Sequence, residues 1–146
     1  MNIVEQLLEN ADTLRVKANE IIPRLIKESS KIDFAYNPLE YAWNPHSEYI
    51  RRHGGMGANI LLVGMNPGHG MGNTGIPFGC PKMVREVLKI TGLEVGSPLN
   101  THPKRPVIGL EHPNHDPYGS WHNTEDTVMS YNFIEIEEKW QKFLKV

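Results

Sequence analysis

The sequence predicts an α/β fold, and three neighbouring observations carry that prediction. A short apolar run, "NILLV" at residues 59–63, has the length of a buried strand and is closed by glycine. The next sixteen residues, "GMNPGHGMGNTGIPFG", hold six glycines and two prolines. "PKMVREVLKI" follows with the apolar spacing of a helix. Strand, glycine loop and helix form half of a β-α-β unit.

The other elements are read in chain order. Residues 2–28 are expected to be helical, because Val4, Leu7, Ala11, Leu14, Ala18, Ile21 and Leu25 recur every three or four positions and make one apolar stripe. This stripe is core or docking surface, and Pro23 inside it is expected to kink or split the helix. "DFAYNPLEYAWNPHSEYIRRHGG" holds two Asn-Pro pairs, which disfavour helix at the preceding residue, so a structured loop with Tyr36, Tyr41 and Trp43 as packing anchors is expected. Pro81 suits a first helical turn, and Gly92 is placed to end the helix near residues 81–90. The N-terminal helix is expected to pack beside the strand and this helix. Residues 93–120 are rich in Pro, Gly, His and Asn, with one short strand candidate at "PVIGL". The ending "SYNFIEIEEKWQKFLKV" reads as a short strand and then a charged amphipathic helix.

Composition narrows the function. A chain of 146 residues suggests one domain at most. Its net charge of -2 gives no overall basic footprint, so nucleic-acid binding would need a local patch. The one cysteine, Cys80, cannot form an internal disulfide, which fits a reducing compartment, nor can it hold a four-thiolate cluster. The start, "MNIVEQLLENAD", carries acidic residues and no long apolar core, so neither a signal peptide nor a membrane span is expected.

The loop after the strand is where chemistry is expected, since parallel α/β sheets bind ligands beyond the carboxyl ends of their strands. It lacks the Gly-Lys-Ser/Thr ending of a phosphate loop and the glycine pattern of a dinucleotide site. It offers the amide of Asn66 at the strand end, then glycines, then Phe78. An amide and an aromatic face suit a planar ligand with a hydrogen-bonding edge. Read singly, Asn66 can equally be a loop asparagine bonding its own backbone, and Phe78 a plain core residue. His102, His112, His115, Asp116 and His122 match no standard zinc spacing, and no metal or cofactor is expected.

"GMNPG…GM…TGIPFG", with "YNPLEYAW.PH" upstream and "HPKRPVIGLE" downstream, resembles the single-strand-selective monofunctional uracil-DNA glycosylases. The resemblance covers about residues 34–113, in three blocks in the right order. It implies the three-layer α/β/α sandwich of the uracil-DNA glycosylase superfamily. It also implies excision of uracil or 5-hydroxymethyluracil from DNA by hydrolysis of the N-glycosidic bond, without a metal. Carried across, Asn66 corresponds to the asparagine that positions the attacking water and Phe78 to the phenylalanine stacked on the flipped base. Met65 and Gly68 correspond to pocket-lining positions. Lys104 and Arg105 are candidate phosphate contacts, with a solvated pair as the equal alternative. DNA is the implied partner, a monomer is expected, and a nuclear location follows from the family's role in base-excision repair.

This chain departs from the family twice. Between Gly68 and Met71 the loop is one residue shorter, with His69 and Gly70 in place of a Pro-Phe-Gly stretch. After "GLEHP" nothing matches, and the family's later asparagine and His-Pro-Ser-Pro motif have no counterpart. The expectation is an incomplete sandwich: residues 1–113 as the N-terminal half of a glycosylase domain and residues 114–146 as an unrelated tail. Such a chain, from splicing or a truncated gene model, would be a glycosylase of weak or no activity, or a non-catalytic binding module.

Overall fold

The computed structural model describes residues 2–57 and 69–111. Their regular structure consists of α1 (Ile3–Glu28), α2 (Pro38–Tyr41), α3 (Trp43–His53), α4 (His69–Thr74) and α5 (Pro81–Glu86). Among the described residues there is no strand, so the expected α/β class and its incomplete three-layer α/β/α sandwich give way to a helical arrangement. The expected strand at residues 59–63 lies outside the described residues. The candidate at residues 106–110 is irregular chain, for local reasons. Pro106 has no N–H to give a ladder. The Ile108 N–H donates instead to the Asn73 side chain at 3.0 Å. Gly109 sits at φ 72, outside the β region.

Helix α1 spans the residues that its three-four spacing marks out. Asn2 caps it, accepting from the Glu5 N–H at 2.9 Å while the Glu5 carboxylate accepts from the Asn2 N–H at 2.8 Å. That reciprocal pair satisfies two of the donors a helix start leaves open. Pro23 does not split the helix. It lies on an exposed side, where water can satisfy the carbonyl that loses its donor. The apolar stripe is only partly used: Val4, Leu7, Ala11 and Ala18 are half-buried, whereas Leu14, Ile21 and Leu25 stay exposed.

α1 packs on α2 and α3 rather than beside α5. A polar cluster joins them. The Arg15 guanidinium reaches Asp12 at 2.8 Å and Glu40 at 2.6 Å, and lies 5.7 Å from the Trp43 ring centre. The Asn37 amide donates to the Arg15 carbonyl at 2.9 Å and to Asn19 at 2.7 Å. Hydrogen bonds from Asn19 and then Arg15 hold the Glu40 carboxyl below its ordinary range.

The expected loop over residues 33–55 is mostly helical. Both Asn-Pro pairs read as breakers, yet each proline sits in a first turn, where its missing N–H costs nothing. Pro38 opens α2 behind the cap residue Asn37, whose side chain accepts from the Leu39 N–H. Pro45 falls in the first turn of α3. The aromatic residues do anchor this region. Tyr36 accepts from the His102 N–H at 2.5 Å and donates to the Arg105 carbonyl at 3.2 Å. Tyr41 donates to the Gly72 carbonyl at 2.5 Å.

The glycine stretch itself carries helix α4, which the sequence reading took for loop. α5 starts at Pro81 as expected but ends at Glu86, before Gly92. Lys89, at φ 56, turns the chain there, and the Ile90 N–H closes back onto the Val84 carbonyl. The core lies between α3, α5 and the irregular chain that follows. Ile76, Val84, Ile90 and Leu110 are buried, flanked by Tyr49, Leu88, Leu93 and Val95. Arg85 donates to the Leu110 carbonyl and Arg52 to that of Lys89, at 2.8 Å, tying the irregular chain to the helices. No helix of the described residues is long and apolar enough to cross a membrane.

Candidate functional site

Residues 76–79 form a turn in which the Gly79 N–H donates to the Ile76 carbonyl at 3.0 Å. Pro77 takes the second position, where its ring fixes φ near -65°. Phe78 takes the third position with φ 56. This is the dihedral signature of a type II turn, whose third position favours glycine. A side chain other than glycine held there costs about 1–3 kcal/mol. The ring in that strained position is 39% exposed, so core burial does not account for it.

Buried side chains fix the turn. The Thr74 hydroxyl donates to the Gly79 carbonyl at 2.7 Å and accepts from the Ile76 N–H at 3.2 Å. From α3, His46 Nδ1 lies 2.6 Å from the Gly75 carbonyl, which makes Nδ1–H the donor. Gly75 has φ 70, and a Cβ there would stand 2.7 Å from the Ala42 Cβ and 2.8 Å from its carbonyl oxygen. Only glycine lets the loop lie this close to the α2–α3 junction. Asn73, buried like Thr74, accepts from the Ile108 N–H. The result is an aromatic face of fixed direction on a loop bonded from several sides, suited to stacking against a planar ring.

Burial lowers the His46 pKa from its ordinary 6.5, opposed by the bond to the Gly75 carbonyl. Burial also raises that of the Tyr41 phenol, which therefore remains a neutral donor. A folded-state pKa below the unfolded one means the unfolded chain binds the proton more readily. The contribution of His46 is complete above about pH 6.5 and is lost as pH falls toward the folded value. The expected result is a melting temperature that drops between about pH 7.5 and pH 5.5, with a smaller drop in His46→Gln. Equal drops in the two proteins would show that another group sets the acid sensitivity.

Of the residues expected to form the pocket, only Phe78 is described. Met65, Asn66 and Gly68 lie outside the described residues, and so does any shared concavity of Asn66 with Phe78. Lys104 and Arg105 lie exposed on a tight turn, closed by the Arg105 N–H on the His102 carbonyl at 2.9 Å. Phe34 packs edge-on against the His102 ring at 5.0 Å, and Tyr36 holds the same turn. Neither cation has an acidic partner among the described residues. Among those residues no three His, Cys, Asp or Glu side chains are grouped to hold a metal. His112, His115, Asp116 and His122 lie outside them, as does the tail from residue 114.

Sequence reading missed Thr74 and His46, and for Tyr41 it gave an anchor but not the carbonyl that it holds. All three sit inside the blocks that carry the family resemblance, but their work is to hold backbone carbonyls, which no motif spells out. The one local signal was Ile-Pro-Phe-Gly, a turn dipeptide followed by a residue unsuited to its position.

No family model matches the chain. Curated proteins do: over 66% of its length this chain is similar to proteins named uracil-DNA glycosylases. The particular relatives are the single-strand selective monofunctional uracil-DNA glycosylases. The Bos taurus protein of that name is 44% identical over 98 residues, and the Rattus norvegicus protein is 45% identical over 104. The Mus musculus protein is 43% identical over 104 residues. The matched region is 36% of the bovine protein and 37% of each rodent protein, so the chain spans little more than a third of the length of these relatives.

Proposed function

We propose that this chain carries the base-binding loop of a DNA repair glycosylase that hydrolyses the N-glycosidic bond of uracil, and of 5-hydroxymethyluracil, in DNA. The observation that supports it is Phe78, an exposed aromatic ring in a strained turn, within a chain related to uracil-DNA glycosylases. An enzyme acting on a base must first take it out of the stack. Phe78 receives the flipped uracil on its face, a contact of about 1–3 kcal/mol. Met65 and Gly68 line the pocket. Asn66 orients the attacking water, since an amide is too weakly basic to remove its proton. Most of the rate enhancement then comes from stabilising the developing sugar cation and uracil anion. Lys104 and Arg105, exposed and without acidic partners among the described residues, are the candidate contacts to phosphate oxygens. The protein acts as a monomer, in the nucleus, without a cofactor.

Residues 1–146 on their own are expected to release uracil poorly or not at all. Catalytic groups that act as a unit are not additive, and losing one costs nearly as much as losing all. The second reading is a non-catalytic DNA-binding module, to which the exposed Lys104 and Arg105 would contribute without Asn66 taking part. The test is release of uracil from a single-stranded oligonucleotide by residues 1–146, with Asn66→Ala as control. Robust release that Asn66→Ala abolishes would establish the enzyme in this segment alone and reject the non-catalytic reading. Binding of the oligonucleotide without release would favour the module. Neither binding nor release would reject the base-binding loop.

A further inference from the structure

The strained turn at Phe78 has no reason to persist unless something holds it, because a phenylalanine gains by leaving positive φ. Three of its neighbours act elsewhere. Tyr41 bonds the carbonyl of Gly72 and His46 that of Gly75, both upstream of the turn. Asn73 faces the irregular chain through Ile108. Thr74 differs, because its hydroxyl reaches across to the turn itself. It donates to the carbonyl of Gly79, the residue after Phe78, at 2.7 Å. It accepts from the N–H of Ile76, the residue that opens the turn, at 3.2 Å. Thr74 is fully buried, so water does not compete for either bond.

We propose that Thr74 is the positioning residue of the stacking face: its hydroxyl joins both ends of the turn at residues 76–79 and so keeps the Phe78 ring aimed outward at the base. This rests on the reading of Phe78 as the stacking residue. Thr74 touches no substrate and acts through Phe78. The chemistry is specific to a hydroxyl, because the site needs a donor toward one atom and an acceptor toward another. Valine has the same shape and supplies neither. Serine supplies both, with a freer rotamer.

The experiment uses the full 146-residue chain as wild type, Thr74→Val, Thr74→Ser, Phe78→Ala and Phe78→Leu. NMR follows the Phe78 backbone and ring resonances, with the methyl signals of Val84, Ile90 and Leu110 reporting the core. The probe is a single-stranded oligonucleotide containing one deoxyuridine. In Thr74→Val the Phe78 backbone signals are expected to leave their positive-φ values while the core methyls hold still. Probe binding should weaken about tenfold or more, the order set by loss of the two buried hydrogen bonds of the hydroxyl. Thr74→Ser should restore both readouts. If Thr74→Val lowers the melting temperature but leaves the Phe78 signals and the affinity at wild-type values, the residue is merely structural and the proposal is overturned. Should that variant not fold, Thr74→Ala carries the same comparison. The underlying reading fails separately: if wild type does not bind the probe, or binds it no better than Phe78→Ala and Phe78→Leu do, stacking by Phe78 is rejected. The backbone signals then still decide whether Thr74 holds the turn.

Discussion

Gly75→Ala is expected to destabilise the fold by about 2–5 kcal/mol, from a left-handed backbone that alanine resists and an overlap that neither partner can yield. Gly75 has φ 70, and the added Cβ would lie 2.7 Å from the Ala42 Cβ and 2.8 Å from the Ala42 carbonyl oxygen. Ala42 is fully buried at the junction of α2 and α3, so retreat would move both helices. Gly92→Ala separates the two causes. Gly92 has nearly the same φ, 69, with nothing within 4 Å of the added carbon, so it bears the backbone cost without the overlap. A thermal melt reads both, at roughly 2–4 °C for each kcal/mol in a chain of this size. Gly75→Ala should fall well below Gly92→Ala, and it should also release the Gly75 carbonyl from His46. Equal losses in the two variants would mean that α2–α3 does not clamp the loop.

The features legible in the sequence were those with local causes. The span of α1 follows from its three-four apolar spacing and the start of α5 at Pro81 from proline at a first turn, and both are where the pattern puts them. The end of α5 was misplaced because Lys89, rather than Gly92, takes the positive φ that turns the chain, and nothing in lysine announces that. Helices α2 and α3 were hidden by their prolines, since Asn-Pro reads as a break until one knows that the proline lies in a first turn. The α/β expectation extended a run of apolar residues and a short "PVIGL" into a sheet. A ladder is a property of two segments, and residues 106–110 give the Ile108 N–H to a side chain instead. For the site, resemblance pointed to Phe78. Its strain, and the threonine that ties the turn around it, depend on φ and on distances between residues that spacing alone does not encode.

Ile76→Ala is expected to cost about 2–5 kcal/mol, the usual range for removing a large aliphatic side chain from a core that cannot collapse around the space. Ile76 is fully buried against Val84, Ile90 and Leu110, so the substitution opens the centre of the only core cluster seen among the described residues. A loss of that size is a large part of the 5–15 kcal/mol that about any domain has in total. Ile3→Ala is the control, because Ile3 is 54% exposed on α1 and should change stability by less than about 0.5 kcal/mol. Ile76 is also the first residue of the strained turn, accepting from the Gly79 N–H and donating to Thr74. Core and turn therefore share one residue, and the direction of the Phe78 ring is set by packing beneath it as well as by the bonds around it. Urea unfolding measures the first effect, and binding of the deoxyuridine oligonucleotide measures the second. Ile76→Val, which removes one methylene, should cost only about 0.5–1.5 kcal/mol and keep the turn. If Ile76→Ala unfolds at the same urea concentration as Ile3→Ala, the core is not where these side chains meet. If it weakens folding and leaves binding intact, the turn holds its shape without the packing beneath it.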